Sequence, residues 1–164
     1  MISVSPIKRR QHRKLIGILA ASTGVLLIVI GVALAANHFQ TRQEVHLGAT
    51  TFTVRLAETD FARKKGLSGV EKLDPNEGLL MVFGGDGRWG IWMKDMKIPL
   101  DIVWLDGNKK VIYIVTDASP SLGTSKTFEP NDPARYVLEV PAGATKSGAI
   151  KIGDTASFTL EGEE

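Results

Sequence analysis

The longest apolar segment of the chain lies near its N-terminus. Residues 15–36 are 22 consecutive residues without a charged side chain, and the only polar side chains among them are Ser22 and Thr23. An amphipathic helix would show polar residues at every third or fourth position. As a helix rising about 1.5 Å per residue, the segment is long enough to cross a hydrocarbon core of about 30 Å. The pattern predicts a transmembrane helix.

A cleaved signal peptide is the alternative interpretation, because Ala33, Leu34 and Ala35 resemble a cleavage site that follows a basic segment. Signal peptides have apolar cores of roughly 7–15 residues, whereas about 18 apolar residues precede this site, which favours an uncleaved anchor. Five cations and no acid precede residue 15. The positive-inside rule therefore predicts that residues 1–14 are a cytoplasmic tail and that the rest of the chain crosses the plasma membrane.

Beyond the anchor, the pattern changes to short β-branched segments separated by turn residues. Polar residues 37–44 predict a stalk, and residues 45–164 an exported domain. Strands are predicted at residues 51–56, 79–83, 136–140 and 155–160, and a hairpin at residues 102–115, in which Asp106-Gly107 supplies positive φ. Two short helices are predicted, at residues 60–65 between Thr59 and Gly66 and at residues 142–147 before Gly148. We expect a mainly β fold, a small barrel or sandwich with two short helices.

Composition and charge exclude several classes of function. The chain has no Cys and three His, so disulfides, thiolate zinc sites and cysteine nucleophiles are excluded, and we expect no metal and no cofactor. From residue 37 onward there are 15 basic and 18 acidic residues, a net charge of −3. A slightly acidic domain offers no basic stripe for nucleic acid. The expected partners are the lipid bilayer, through residues 15–36, and an envelope ligand or protein.

The candidate binding residues concentrate in residues 89–101. If this segment is extended, Ile91 and Met93 point into the core while Trp92 and Lys94 lie together on the other face. An indole beside an ammonium group can bind a carboxylate, a sugar or a partner side chain. The predicted ligand- or partner-binding surface consists of Trp92, Lys94, Asp95 and Asp101, with Arg63 and Glu139 as neighbours. The simpler alternative is that Trp92 covers the core, Lys94 is solvated and Asp101 caps a turn.

Motifs along the domain resemble those of domain-of-unknown-function family 192. The resemblance covers residues 45–160 and rests on five runs in the same order: Arg63-x-x-Gly66-Leu67, Glu77-Gly78-Leu79-Leu80-x-x-Phe83, Trp92-Met93-Lys94-x-Met96-x-Ile98-Pro99-Leu100-Asp101-Ile102, Tyr136-Val137-Leu138-Glu139-Val140-Pro141-Ala142-Gly143 and Gly148-x-Ile150-x-x-Gly153-Asp154. The resemblance implies a compact, mainly β domain, often exported or lipid-anchored, and implies no reaction.

Two departures from that family bear on the candidate surface. Asp95 stands where members usually carry Asn, which adds a negative charge beside Lys94. Members often have Cys in the loop that corresponds to residues 117–128, and this chain has none, so a thiol or disulfide role does not carry over. We therefore expect a membrane-anchored binding or interaction module of the cell envelope. The alternative is an envelope hydrolase that uses carboxylates such as Asp101 or Glu139.

Overall fold

Strands make up most of the chain that the structure describes. The computed structural model describes residues 42–160, which belong to one compact unit. The strands are β1 (Arg42–Leu47), β2 (Thr50–Ala57), β3 (Glu77–Gly87), β4 (Ile91–Trp92), β5 (Leu100–Leu105), β6 (Val111–Ala118), β7 (Thr127–Phe128) and β8 (Ala134–Pro141). The helices are α1 (Asp60–Lys65) and α2 (Ala144–Ser147), with a 3₁₀ turn at Pro120–Leu122.

Capping residues set the ends of α1. The Thr59 side chain accepts a hydrogen bond from the Ala62 amide at 3.1 Å, and Gly66 ends the helix with φ 50°, a backbone conformation that favours glycine. Both predicted helices are confirmed, although α2 begins at Ala144 instead of residue 142.

Six strands form one mixed sheet in the order β1-β2-β3-β8-β5-β6, and β4 pairs with β7 in a separate two-stranded sheet. β2 and β3 are parallel, and the other neighbours in the large sheet are antiparallel. Alternating side chains give the sheet two apolar faces. One face carries Phe52, Leu80 and Leu138, and the other carries Met81 and Trp104, each within its own buried cluster.

The mainly β fold with two short helices is confirmed, but the barrel prediction is wrong because the sheet is open. Residues 155–160, predicted as a strand, make only isolated bridges: Ser157 with His46 of β1, and Thr155 with Lys110 beside β6. These few hydrogen bonds link the two edges without a continuous ladder. Phe158 and Leu160 nevertheless belong to the buried cluster that contains Phe52, Leu80 and Leu138.

The structure contains the predicted hairpin and the longer predicted strands, but it differs from the prediction in the turn of the hairpin and in the start of β1. β5 and β6 pair as predicted, but the residue with positive φ in the turn is Lys109, at 63°, and not Gly107. Asp106 stabilises this turn because its Oδ1 accepts from the amides of Asn108 and Lys110 at 2.8 and 2.9 Å. Residues 42–44, which their polar composition assigned to the stalk, form the start of β1.

The predicted tail at residues 1–14, the anchor at residues 15–36 and most of the stalk lie outside the described residues. Within residues 42–160, no helix combines the length and the apolar character needed to cross a membrane.

Candidate functional site

A cavity of about 580 Å³ lies on the face of the sheet that carries Met81 and Trp104. It is enclosed by α1 and the turn after it, by the second half of β3, and by the segment around β4. Its lining combines apolar, aromatic and charged side chains. The lining residues are Asp60, Arg63, Lys64, Lys65, Gly66, Leu67, Ser68, Met81, Phe83, Gly84, Gly85, Asp86, Trp89, Gly90, Ile91, Trp92, Met96 and Glu139.

Glu139 contributes a buried carboxyl group to the cavity wall. Glu139 lies at the centre of the sheet, opposite Leu79 on β3 and Ile102 on β5. Only 4% of its surface is exposed. Its Oε2 has no hydrogen-bond partner among the described residues. Burial raises the pKa of Glu139 to about 7, an effect that the positive charge of Arg55 partly offsets. A carboxyl group of this kind exchanges a proton near neutral pH.

The backbone at Gly66 keeps space open beside this carboxyl. A side chain at position 66 would place its Cβ 3.5 Å from Oε2 of Glu139 and 3.4 Å from Cε of Met81. The same glycine has φ 50°, which ends α1 and turns the chain over the cavity. One glycine therefore serves both the helix end and the shape of the cavity.

An aromatic stack forms one side of the cavity. The rings of Phe83 and Trp89 are parallel, with centroids 4.3 Å apart, and the Arg63 guanidinium lies 5.1 Å from the Phe83 centroid. The Trp89 carbonyl accepts a hydrogen bond from Nε1 of Trp104 at 2.8 Å. Nε1 of Trp89 itself is buried without a hydrogen-bond partner in the described part of the chain. Two residues of the cavity lining, Trp89 and Glu139, thus each carry a buried polar atom without a hydrogen-bond partner among the described residues.

Most charges around the cavity are paired with each other. Arg63 donates to the carbonyls of Glu58 and Val82 at 2.6 Å and to the Asp60 carboxylate at 2.5 Å. The two bonds to carbonyls hold α1 against the end of β2 and against β3, and the bond to Asp60 lies within α1, so Arg63 is a positioning residue. Asp86 accepts from Arg135 at 2.6 Å.

Lys64 and Lys65 differ from these paired residues. Both are exposed at the cavity, and neither makes an ion pair with a described residue. Their two positive charges are therefore not neutralised by ion pairs with described residues.

The structure brings three of the six predicted site residues to this cavity: Arg63, Trp92 and Glu139. Trp92 is 45% exposed, whereas Ile91 and Met93 are buried, which is the alternation expected for an extended segment. Lys94 and Asp95 are exposed and do not line the cavity.

The backbone of Lys94 and Asp95 fixes the turn after α1. The Lys94 carbonyl accepts from Oγ of Ser68, and the Asp95 carbonyl from the amide of Gly69, both at 2.9 Å. Asp95 has φ 56°, a conformation that Asp and Asn tolerate better than other side chains. An Asn-to-Asp exchange at this position therefore keeps the backbone conformation.

Asp101 is fully buried but lies apart from the cavity lining. Its Oδ1 accepts from the Asp117 amide at 2.9 Å. Its Oδ2 accepts from the amides of Gly143 and Thr145, at 3.0 and 2.9 Å, and from the Thr145 hydroxyl at 2.6 Å. Four donors from two distant parts of the chain satisfy this carboxylate, so it joins β5 to the end of β6 and to the start of α2.

The binding surface predicted from the sequence did not include several residues of the cavity, among them Met81, Phe83, Trp89 and Met96. One signal was available: residues 83–96 contain three of the chain's nine Phe and Trp residues and two of its four Met residues, a density that favours an exposed apolar site over a simple loop.

Within residues 42–160, no group of three or more His, Asp or Glu side chains is placed to hold a metal ion.

Comparison with known proteins agrees with the motif analysis. The family model described as Uncharacterized ACR, DUF192, matches residues 41–158. The chain belongs to the DUF192 family. Two curated UPF0127 proteins are similar to it: one from Thermococcus kodakarensis, 31% identical over 108 residues, and one from Thermococcus gammatolerans, 30% identical over 109 residues. Each match covers 65% of this chain, and they cover 64% and 67% of the relatives, so the chain spans about two thirds of their length.

Two solved structures have a similar fold. A protein from Sinorhizobium meliloti, provisionally described as a transcription regulator, superposes with a TM-score of 0.69 and 27% identity, covering 73% of this chain and 95% of that protein. A protein of unknown function from Novosphingobium aromaticivorans superposes with a TM-score of 0.66 and 26% identity, covering 71% and 84%.

Proposed function

We propose that this chain is a ligand-binding module of the cell envelope, in which the cavity beside Glu139 takes a small organic molecule. The observation that carries the proposal is the buried Oε2 atom of Glu139, a residue of the cavity lining, which has no hydrogen-bond partner among the described residues. Burying a polar atom without a hydrogen-bond partner costs about 1–3 kcal/mol. A bound molecule that pairs with this atom would recover that cost.

The size and lining of the cavity support binding of a small molecule. A volume of about 580 Å³ lies within the range of roughly 300–1,000 Å³ that is typical of ligand pockets, and such pockets are mainly apolar with a few polar groups. Here the apolar part comes from residues such as Leu67, Met81 and Ile91, and the polar part from Glu139.

Binding is better supported than the alternative of a hydrolase. Acid and base catalysis with two carboxyl groups requires both to face the substrate. Asp101 does not line the cavity and is held by four donors. Asp60 and Asp86 line it but are paired with arginines. Among the described residues, Glu139 is therefore the carboxyl group of the cavity lining that has a buried oxygen atom without a hydrogen-bond partner.

A thermal-unfolding screen of the full-length chain in detergent micelles tests the proposal. All three Trp residues lie between positions 89 and 104, so Trp fluorescence reports on the domain alone. The library contains organic acids, amines, sugars, nucleotides and short peptides. A ligand at about 100 times its Kd stabilises the native state by about 2.7 kcal/mol.

The matched variants are Trp92→Ala and Ile152→Ala. Trp92 lines the cavity, whereas Ile152 is an exposed apolar residue, 65% accessible, that does not. We expect at least one compound to raise the melting temperature of the wild type and of Ile152→Ala but not of Trp92→Ala. If no compound does so, or if both variants respond equally, the cavity is not a binding site.

The proposed location is the outer side of the plasma membrane, with residues 15–36 as anchor and the N-terminus in the cytoplasm. It rests on the apolar segment and on the five cations that precede it. Because the chain has no Cys, single Cys residues can be introduced by Ser5→Cys and Lys146→Cys and treated with a membrane-impermeant maleimide in spheroplasts. We expect labelling at position 146 only, and labelling at position 5 only would reverse the topology.

A further inference from the structure

Charged groups of opposite sign line the cavity, one of them buried and two exposed. Glu139 is buried in the wall and lacks a partner for Oε2. Lys64 and Lys65 are exposed on α1 and make no ion pair with described residues. The remaining charges are paired as Asp60 with Arg63 and Asp86 with Arg135. A complementary ligand therefore has a cationic end directed inward and an anionic end directed outward.

Other groups of the cavity lining also match a peptide. Nε1 of Trp89 is a buried donor without a partner among the described residues, and it can donate to a carbonyl oxygen. Met81, Phe83 and Met96 provide an apolar surface, against which an aliphatic or aromatic side chain can pack. Thioether and aromatic groups adapt to apolar side chains of different shape.

We propose that the cavity binds a short peptide with free termini and an apolar side chain. Its α-ammonium group lies against Glu139, a carbonyl oxygen accepts from Trp89, and its α-carboxylate faces Lys64 and Lys65. This inference rests on the proposed function and names the class of ligand. A simple amine would leave the two lysines unmatched, and a fatty acid would leave Glu139 unmatched.

Peptide binding by this arrangement depends on pH. Charged groups around Glu139 come from three elements: Arg55 of β2, Asp60, Arg63, Lys64 and Lys65 of α1, and Asp86 of β3. An ammonium group binds the ionised form of Glu139. With a pKa of about 7, the ionised fraction rises from about 3% at pH 5.5 to about half at pH 7, so the apparent Kd falls about 16-fold over this range. A peptide α-amino group, with a pKa of about 8, stays mostly protonated there.

Isothermal titration calorimetry on the full-length chain in detergent micelles tests each end of the peptide. The probes are leucyl-phenylalanine, its N-acetyl derivative and its C-terminal amide. We expect the free dipeptide to bind at pH 7, and acetylation to weaken binding at least tenfold because it removes the cation. Amidation removes the anion and weakens binding severalfold, since exposed lysines are screened by solvent.

Variants assign these effects to residues. Glu139→Gln weakens the free dipeptide at least tenfold and abolishes the pH dependence between pH 5.5 and 7. The double variant Lys64→Gln with Lys65→Gln weakens the free dipeptide but leaves the affinity for the amide unchanged. Glu71→Gln and Lys146→Gln alter exposed residues outside the cavity and leave all affinities unchanged. Trp fluorescence confirms that each variant is folded.

Two results would overturn the inference. One is equal affinity for the free and the acetylated dipeptide, which would remove the role of Glu139 as the partner of an ammonium group. The other is the absence of dipeptide binding while another compound of the thermal screen stabilises the wild type and not Trp92→Ala, which refutes the peptide but leaves the binding module intact. If no compound acts through Trp92, both proposals fail.

Discussion

Replacing Glu139 with glutamine changes how the stability of the domain depends on pH. The folded protein holds the Glu139 proton with a pKa of about 7, whereas the ordinary value is 4.5. The native state therefore binds this proton more tightly than the unfolded state does. The resulting stabilisation is fully present below about pH 4.5, falls as the pH rises, and is lost above about pH 7. The amide side chain of the variant cannot titrate, so the variant lacks this contribution.

The size of the effect follows from the two pKa values. A pKa raised from 4.5 to about 7 corresponds to about 3 kcal/mol of differential stability. The free energy of unfolding of the wild type, minus that of Glu139→Gln, is therefore expected to fall by about 3 kcal/mol between pH 4.5 and pH 8. Every other group titrates in both proteins, so the subtraction removes its contribution unless it couples to Glu139.

Urea titrations of the full-length chain in detergent micelles, followed by Trp fluorescence, measure this difference at pH 4.5, 5.5, 6.5, 7.5 and 8. Glu71→Gln is the matched control, because Glu71 is exposed and outside the cavity, and its difference from the wild type should stay constant. A difference between the wild type and Glu139→Gln that changes by less than about 1 kcal/mol over this range would refute a strongly raised pKa. It would also weaken the pH argument for peptide binding.

Three further substitutions test the structural roles of other residues in the same urea assay. Asp101→Asn should lower the free energy of unfolding by about 3 kcal/mol, because charge-assisted hydrogen bonds to four donors are lost or weakened. The exposed Asp117→Asn is its control. Gly78→Ala should lower the free energy of unfolding by about 2 kcal/mol or more, because the new Cβ would lie 2.5 Å from a backbone oxygen of β8. Its control is Gly84→Ala, whose Cβ meets nothing within 4 Å and which should leave the free energy of unfolding nearly unchanged. Arg63→Lys should cost about 1–2 kcal/mol, because an ammonium cannot reproduce the forked bonds to two carbonyls and a carboxylate.

Features with a local cause could be predicted from the sequence. Thr59 and Gly66 mark the ends of α1 because capping acts within one turn of helix. Ile91, Trp92 and Met93 alternate between core and surface because side chains of extended segments alternate. In the same way, Tyr136, Leu138 and Val140 share one face of β8, which places Glu139 on the other. Both faces proved to be buried, and the nearly continuous apolar run of residues 136–140 was the available signal for this.

Features that join distant segments could not be predicted in this way. Arg63 and Glu139 line one cavity although 76 positions separate them, and no spacing rule relates them. Asp101 illustrates the same limit, because its donors lie 16, 42 and 44 residues away. Its alternative interpretation as a turn cap describes the kind of bond correctly but not the segments that it joins. The open sheet also depends on distant pairing, since the alternation in residues 155–160 suits a strand but does not specify a partner.

The position of residues 153–160 has a consequence for biosynthesis. These residues pair with His46 near the start of the domain and with residues 109–111 in its middle, and Phe158 and Leu160 complete a buried cluster. They are also the last part of the described domain to leave the ribosome. The buried cluster to which the first strands contribute is therefore complete only after synthesis has passed residue 160. We expect the native core to form only after the whole domain has been released, and a chaperone has an incompletely folded chain to hold until then.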